Sequence, residues 1–287
     1  MVGKTTLAAN LCAYFERVLG KSVLLIDFDY QGSLSDSVLP HEKDDIEFSA
    51  NLLIEGISPE RALPHSTRLH PKFQKARIFP AFYTLNRVEN RILFSWLSQP
   101  NQPDIRFNTH KILASQLIQD NFDVVIVDAP PRLMTATVNA VCASTHILIP
   151  TMPDNLCVNA TLNTVGVVRD LKKNLCTSLE ILGVVPTMVL RSSMNAREKL
   201  ALRRLSDELP SYWNWPPTPH IFENEFISRR EGVARAAGYE IAFDADDEAR
   251  EMFSRLGAAI AKRIFHAGEG TQSRPLATGG DALGLAG

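Results

Sequence analysis

The chain has 287 residues, 45% of them hydrophobic and 22% charged, which is ordinary for a soluble globular protein with a large core. Its formal net charge of −2 excludes an overall basic field that would attract nucleic acid, so any such binding must be local. No segment approaches the roughly 20 apolar residues of a membrane span, and no signal-peptide region is present. The four cysteines include no C-x-x-C pair, which argues against a zinc site or a disulfide framework and favours a reducing cytoplasm: Cys12, Cys142, Cys157 and Cys176.

The first predicted element is a helix that begins in the closing half of a phosphate-binding loop. Gly3, Lys4, Thr5 and Thr6 match the end of the pattern G-x-x-x-x-G-K-[ST], in which backbone N–H groups surround phosphates at a helix N-terminus. Gly20 ends the helix, which is itself predicted by apolar residues at three- and four-residue spacing: Leu7, Leu11, Phe15 and Val18. Alone, the pattern is weak, because a Gly-Lys pair before a helix also occurs without any phosphate.

The apolar segment 21–27 predicts a buried parallel strand that ends at acidic residues. Seven prolines break any long element between about residues 35 and 110, where we expect short helices near 50–53 and 85–97. Beyond this region strands are predicted at 122–128, 146–150, 181–189 and 220–222, and helices at 109–119, 134–143, 160–175, 196–209 and 247–265. This alternation predicts an α/β fold, a doubly wound and mostly parallel sheet in a single domain over residues 1–267. Residues 268–287 are predicted to form a disordered tail.

Acidic residues end two of the predicted strands. Asp27 and Asp29 follow the strand at 21–27, and Asp128 ends the strand at 122–128. Ligands of open parallel sheets sit beyond the carboxyl ends of the strands, so we expect these carboxylates to meet the loop at Lys4. Phosphoryl transfer needs a cation near the phosphates, carboxylates that position magnesium and water, and a rigid cradle. A simple turn would explain Asp27 and Asp29 alone, but not the whole set.

Together these residues resemble the ParA/MinD ATPases with a deviant Walker A loop, whose motif reads K-G-G-V-G-K-T-T. Residues 2–6 match its last five positions. Segment 24–33 resembles the family's second motif, D-x-D-P-Q-G, and segment 122–131 resembles its Walker B segment. Segments 183–188 and 226–235 are similar to later parts of ParA partition proteins. The resemblance spans about residues 2–265, and it implies a P-loop NTPase fold that uses ATP and Mg2+.

The resemblance also implies roles for individual residues. The catalytic set would be a water-orienting carboxylate, the phosphate-binding lysine and a neighbouring carboxylate: Asp29, Lys4 and Asp27. The nucleotide would be held by the loop and by an adenine wall that extends to residues 219–221: Val2, Gly3, Lys4, Thr5, Thr6, Pro186, Thr187 and Met188. Mg2+ would be held by the loop hydroxyl and by two carboxylates, the second through a coordinated water: Thr5, Asp29 and Asp128.

The sequence departs from the family pattern in two places. Tyr30 stands where the family usually has proline, which a loop should tolerate. Met1 occupies a glycine position, and the family's signature lysine, which reaches the partner's nucleotide across the dimer, would precede it. The first strand, which is central in this fold, would precede it too. We therefore expect a sheet that lacks its first strand and a chain start that is artificial or misassigned.

The resemblance implies an ATPase that hydrolyses MgATP slowly, dimerises with ATP and binds DNA nonspecifically, in order to partition plasmid or chromosome cargo. A ParB-like centromere-binding protein would stimulate it, and it would be cytoplasmic and nucleoid-associated, with no membrane partner. Four arginines are candidates for contacts with DNA phosphates: Arg191, Arg229, Arg230 and Arg235. The basic residues of the helix at 196–209 are spread around its axis among acids, which indicates a solvated surface.

Three alternatives stay open. A MinD-like membrane-cycling ATPase would need an amphipathic C-terminal helix, which the composition of residues 268–287 does not favour. A related iron-sulfur reductase would need cysteines soon after the Walker B segment, and Cys142 lies well beyond Asp128. A nonhydrolytic regulatory or interaction protein on the same scaffold would bind partners without turning over ATP.

Overall fold

The computed structural model describes residues 3–39, 48–69, 72–99, 102–190, 192–230, 233 and 241–265. The expectations for Val2, Arg191, Arg235 and the tail at 268–287 lie outside these residues.

The strands of the described residues form two four-stranded sheets. The first contains β1 (Val23–Asp27), β2 (Thr67–Arg68), β3 (Arg77–Phe79) and β4 (Val124–Asp128), in the order β2-β3-β1-β4. The second contains β5 (His146–Thr151), β6 (Glu180–Val189), β7 (His220–Ile221) and β8 (Ile227–Ser228), in the order β5-β6-β7 with β8 also paired to β6. The β2–β3 pairing is antiparallel and the other pairings are parallel.

Helices connect the strands and cover the sheets. Their bounds in the described residues are α1 (Lys4–Arg17), α2 (Ser33–Val38), α3 (Ala50–Glu55), α4 (Pro59–Ala62), α5 (Thr84–Ser98), α6 (Asn108–Leu113), α7 (Gln116–Asn121), α8 (Thr135–Ala143), α9 (Asn155–Asn174), α10 (Ala196–Tyr212), α11 (Ala242–Ala245) and α12 (Asp247–Phe265). One-turn 3-10 helices lie at Leu63–His65 and Ile105–Phe107. The alternation of helices with parallel strands confirms the predicted doubly wound, mostly parallel α/β fold.

Helix α1 is buried on the face that its apolar spacing predicts. Leu7, Leu11 and Phe15 belong to one core cluster with residues of α12. The two helices approach closely, because a Cβ on Gly257 of α12 would overlap the ring of Tyr14. Val18 was predicted on the same face but is 54% exposed, since the helix ends at Arg17 and Val18 is its C-cap.

The prediction of one helix over 109–119 is wrong. The chain forms α6 and α7 instead, with Ser115 between them. The Ser115 hydroxyl donates to the Ile112 carbonyl oxygen at 2.7 Å and accepts from the Ile118 amide at 3.4 Å. A serine that caps a helix satisfies N–H groups that the first turn leaves unpaired, so it starts a new helix at this point.

Strands β4 and β5 are each an end strand of their sheet, and each has a single neighbour among the described strands. Residues Val124–Val127 of β4 are only half-buried, whereas β1 is buried throughout. Val124 and Ile126 of β4 and Leu148 of β5 pack against the same core cluster, which also contains α1. The strands thus share a core layer without forming one continuous sheet.

Among the described residues, no helix has the length and apolar character needed to cross a membrane.

Candidate functional site

The site begins at the N-terminus of α1. Gly3 precedes the helix with a φ of 77°, a left-handed conformation that glycine adopts without the steric cost other residues incur. Its carbonyl oxygen accepts from the Leu7 amide at 2.9 Å, so the first turn is regular. The first amides of a helix have no partner within it and carry partial positive charge, which makes this end a favourable place for phosphate.

The loop hydroxyl and the carboxylate at the end of β4 are in direct contact. Thr5 Oγ1 donates to Asp128 Oδ2 at 2.7 Å. Asp128 is placed by the sheet, since β1 and β4 pair in the register that sets Asp27 opposite Asp128. The Phe28 amide extends this pairing by donating to the Asp128 carbonyl oxygen at 2.9 Å. The structure thus brings Asp27 and Asp128, at the carboxyl ends of neighbouring strands, together with Thr5 at the start of α1.

Asp27 is completely buried and its carboxylate is held by three donors. The amide and hydroxyl of Ser35 reach Oδ2 at 2.9 and 2.7 Å, and the Asp29 amide reaches Oδ1 at 3.0 Å. Burial raises the pKa of Asp27 to about 7, with a smaller contribution from Asp128, while the Ser35 hydrogen bonds act in the opposite direction. Asp27 therefore fixes the turn that follows β1.

That turn carries Asp29. The Asp29 carbonyl oxygen accepts from the Gly32 amide at 2.8 Å, and its Oδ1 accepts from the Gln31 amide at 3.1 Å. Gly32 has a φ of 66°, and a Cβ there would lie 2.9 Å from the backbone oxygen of Ala81. Two hydrogen bonds to Asp29 thus close the turn. Glycine is required at position 32 because the backbone there passes close to Ala81.

Lys4 and the two carboxylates Asp29 and Asp128 interact electrostatically. Burial lowers the pKa of Lys4, and the carboxylates of Asp128 and Asp29 partly restore it. Burial raises the pKa of Asp128 to about 6, while the Thr5 hydrogen bond and the Lys4 ammonium act against that rise. Two acids, one ammonium and one hydroxyl, all partly or wholly buried, are thus gathered around the N-terminus of α1.

These oxygen donors suit Mg2+. The ion prefers carboxylate and hydroxyl oxygens, and it usually keeps water and substrate phosphates as its other ligands. In the described part of the chain no group of three or more His, Cys, Asp or Glu side chains could enclose a metal by itself. Thr5 and Asp128 therefore fit an ion that shares its coordination with a phosphate, and such an ion would favour the ionised form of Asp128.

A cavity of about 660 Å3 opens beside the same helix end. Gly3 and Thr6 line it from the loop, and Thr187 and Met188 line it from β6. Met188 has a φ of 58°, which is rare for a residue with a side chain, and it lies where the pairing of β6 with β8 shifts register. Neither Pro186 nor residues 219–221, which were predicted to wall the adenine, are among its described lining residues.

Sequence reasoning missed much of this cavity. Further lining comes from the segment between β5 and α9, the N-terminal part of α10, β8 and the segment after β8, including Met152, Asp154, Arg197, Ile227 and Arg229. Asp154 carried a sequence signal, because aspartate is a preferred N-cap residue of helices. In the structure it caps α9 by accepting from the Cys157 amide at 2.9 Å. That cap also explains why α9 begins before the predicted residue 160.

The predicted DNA-contacting arginines differ in their surroundings. Arg229 is exposed and lines the cavity mouth, where its amide donates to the Val189 carbonyl oxygen at 2.6 Å. Arg230 forms ion pairs with Asp246, at 3.8 Å, and with Glu248. Among the described residues, Arg230 has acidic partners and the Arg229 side chain forms no ion pair with an acid.

A family model described as an AAA domain (AAA_31) matches residues 1–181. The chain belongs to this family. Sporulation initiation inhibitor protein Soj of Bacillus subtilis is 29% identical over 213 residues, which cover 74% of this chain and 76% of Soj. The chromosome-partitioning ATPase Soj of Treponema pallidum is 26% identical over 269 residues, covering 91% of this chain and 93% of that protein. These matches confirm the ParA/MinD resemblance.

Solved structures share the fold at lower identity. The structure of pNOB8 ParA bound to nonspecific DNA has a TM-score of 0.70 and 22% identity, covering 93% of this chain and 96% of ParA. The cobyrinic acid a,c-diamide synthase of Mycobacterium smegmatis, with a bound ATP analogue and magnesium, has a TM-score of 0.66 and 22% identity, covering 91% and 90%. The P-loop NTPase fold that the sequence predicted is confirmed.

Proposed function

We propose that this protein is a ParA-type ATPase that binds MgATP at the N-terminus of α1 and hydrolyses it slowly. The observation that carries the proposal is the contact of Thr5 with Asp128, beside Lys4 and Asp29 and next to Gly3 and Thr6, which line the 660 Å3 cavity. Relatives named as chromosome-partitioning ATPases and a neighbour that holds an ATP analogue with magnesium support it.

Each side chain has a distinct task in this proposal. The Lys4 ammonium and the amides after Gly3 bind the phosphates and stabilise the charge that develops on the transferred group. Asp29, which the turn to Gly32 holds at the site edge, orients the attacking water. Asp27 acts as a positioning residue, because its carboxylate is buried and bound to Ser35 and the Asp29 amide. Thr5 and Asp128 would hold Mg2+, which would supply charge neutralisation at the phosphates.

The nucleoside has room in the cavity next to the loop. Thr187 and Met188 lie on one wall, and Met188 Cε would be 4.0 Å from a Cβ placed on Gly3. An apolar wall beside a phosphate site suits a purine ring, whose faces pack well against thioether and aliphatic groups.

The wider function rests on the relatives. We propose that the protein dimerises with ATP, associates nonspecifically with nucleoid DNA through Arg229 and its neighbours, and partitions plasmid or chromosome cargo with a ParB-like partner. The ParA neighbour with bound nonspecific DNA and the Soj relatives support this proposal. No overall basic field exists at a net charge of −2, so DNA contact must come from a local patch.

ATP turnover tests the proposal. Phosphate release is measured with and without Mg2+ and with and without DNA, on wild type and on Lys4→Ala and Asp29→Ala. We expect Lys4→Ala to lose ATP binding, and Asp29→Ala to bind ATP within a few-fold of wild type but to lose turnover. Lys199→Ala and Asp207→Ala, which alter exposed residues of α10, are matched controls and should change neither quantity.

Two results would contradict the proposal. Turnover that survives in both site variants would place the chemistry elsewhere. ATP binding without turnover by the wild type, with and without DNA, would favour the nonhydrolytic regulatory protein on the same scaffold.

A further inference from the structure

Cys142 and Cys176 lie side by side in the core, although no C-x-x-C spacing predicts them to meet. Their sulfur atoms are 3.1 Å apart, and 34 positions separate the two residues in the chain. Cys142 is the penultimate residue of α8, and Cys176 lies in the turn between α9 and β6. The packing of both crossover connections against β5 and β6 brings the two thiols together.

Two buried cysteines often serve only as small apolar residues. This pair differs from that case because the sulfur atoms are within hydrogen-bond distance and only about 1 Å farther apart than in an S–S bond. Cys12, by contrast, is fully buried in a different core cluster, and Cys157 lies on α9 and is half-buried. Among the four cysteines, the structure pairs these two.

The surroundings make the two thiols unequal. The hydrogen bond between the two thiols lowers the pKa of Cys176, and the Arg106 guanidinium lowers it further, although burial acts against both. The same hydrogen bond and burial raise the pKa of Cys142. Cys176 and Cys142 are almost equally buried, at 8% and 7% exposed, and Cys176 is followed by two exposed residues, Thr177 and Ser178. Cys176 is thus the attacking thiol and Cys142 the resolving one.

We propose that Cys142 and Cys176 are a reversible redox pair that closes to a disulfide when a hydroperoxide oxidises Cys176. Hydrogen peroxide represents the oxidant, because it is the smallest hydroperoxide and Cys176 is only 8% exposed. The bond would tie the end of α8 to the turn before β6, two points that β5 and α9 separate along the chain.

The reaction balances in two steps. The Cys176 thiolate attacks one peroxide oxygen, the O–O bond breaks, an S–OH group forms, and the displaced hydroxide takes the thiol's proton to leave as water. Cys142 Sγ then attacks Cys176 Sγ, an S–S bond forms, the S–O bond breaks, and the departing hydroxide takes the Cys142 proton as a second water. Two thiols are oxidised and one peroxide is reduced to two waters.

The Cys142–Cys176 pair is remote from the phosphate site, although both touch the connection that follows β4. The N-terminus of α8 follows the loop after Asp128, and Cys142 lies at the opposite end of the helix. The nine residues of α8 span about 13 Å. Neither cysteine lines the nucleotide cavity, so substitutions at the pair leave the proposed ATP site intact.

Thiol counting and peptide mapping on the full chain test the proposal. Wild type is treated with hydrogen peroxide, blocked with an alkylating agent after denaturation, and mapped without reduction. We expect the four free thiols to fall to two, the chain mass to drop by two hydrogen atoms, and one linked peptide pair containing Cys142 and Cys176. Dithiothreitol should restore all four thiols.

The variants separate this pair from general oxidation. Cys142→Ser should form no linked peptide and should retain a sulfenic acid at Cys176 that a dimedone-type reagent traps. Cys157→Ser is the matched control and should form the disulfide at the wild-type rate. Linkage through Cys157 or Cys12, a disulfide between two chains, or oxidation of the half-buried Cys157 while the pair stays reduced would overturn the proposal.

Discussion

The hydroxyl of Thr5 donates a 2.7 Å hydrogen bond to the carboxylate of Asp128, although 123 positions separate the two residues in the chain. One residue begins the first helix and the other ends a strand, so the bond joins α1 to β4 directly. Lys4 lies next to Thr5 in the chain and interacts electrostatically with the same carboxylate. A hydroxyl and an acid that already touch need little rearrangement to share one Mg2+ between them.

Removing the Thr5 hydroxyl should therefore weaken magnesium-dependent nucleotide binding. We expect Thr5→Ala to lose at least tenfold in affinity for MgATP, about 1.4 kcal/mol or more, because one metal ligand is gone and the buried Asp128 carboxylate loses its donor. Thr5→Ser keeps the hydroxyl and is the matched control, which should stay within a few-fold of wild type. Isothermal titration with ATP measures both.

Measuring ATP affinity with and without Mg2+ tests whether the Thr5 hydroxyl acts through the metal. With a chelator present, Thr5→Ala and wild type should bind ATP with similar affinity, because the hydroxyl then has no metal to hold. An equal loss with and without Mg2+ would show that Thr5 contributes through folding or through phosphate contact alone.

Gly32 should be intolerant of any side chain. Gly32→Ala places a Cβ 2.9 Å from the Ala81 backbone oxygen and forces a residue with a side chain to a φ of 66°. We expect a loss of about 2 kcal/mol or more in the free energy of unfolding, together with loss of turnover, because Asp29 lies in the same turn. Urea unfolding and phosphate release measure the two effects.

Gly20→Ala is the control for the Gly32 variant. Gly20 has a φ of 68°, but a Cβ there would meet nothing within 4 Å. It should therefore cost only the conformational strain, about 1 kcal/mol, and leave turnover unchanged. Equal destabilisation by the two variants would show that contact with Ala81 does not matter.

Local patterns in the sequence predicted the elements that hold the site. The spacing of Leu7, Leu11 and Phe15 marks one face of α1, and apolar runs ending in Asp27 and Asp128 mark β1 and β4. These signals are reliable because helix and strand periodicity depends only on near neighbours. The acids then follow the strands to the carboxyl edge, as the topology of parallel sheets requires.

Partners that are distant in the chain could not be predicted in this way. Ser35 binds Asp27 only because α2 folds back over β1, and α2 is a six-residue helix without a long apolar face. Strands β2 and β3 have two and three residues, too few to show alternation. The Cys142–Cys176 contact likewise depends on how α8 and α9 pack, which no local pattern encodes.

Arg229 should contribute more to DNA binding than Arg230. Arg229 is exposed, whereas Arg230 is held by Asp246 and Glu248. We expect Arg229→Ala to weaken DNA retention and to reduce the slope of log affinity against log salt by about one, because each phosphate contact releases about one counterion. Arg229→Lys keeps the charge and should bind like wild type. Fluorescence anisotropy over a salt series measures the slope.

ATP affinity must be measured on the same Arg229 variants, because this residue also lines the cavity proposed to hold the nucleotide. Unchanged ATP affinity with a reduced salt slope supports a DNA contact. A parallel loss of ATP affinity, or an unchanged slope, would instead assign Arg229 to the nucleotide.

Glu89 gives a prediction for pH. This carboxylate on α5 is 5% exposed, and its Oε1 accepts from the Ala136 amide at the start of α8 at 2.6 Å. Burial raises its pKa above the ordinary value of 4.5, although the hydrogen bond from Ala136 and the charge of Arg132 oppose the rise. The folded state therefore retains a proton at pH values where the unfolded chain has released it, so stability falls as pH rises through this window.

Glu89→Gln keeps an oxygen acceptor for Ala136 and removes the charge. Below the unfolded pKa near 4.5 both forms carry a neutral side chain, and their free energies of unfolding should be similar. As pH rises from about 4 to about 8, the variant should become progressively more stable than wild type, because only wild type must bury a charge. Urea unfolding across this range measures the difference, with the exposed Glu60→Gln on α4 as a control. A difference that stays constant with pH would mean that Glu89 titrates alike in the folded and unfolded states.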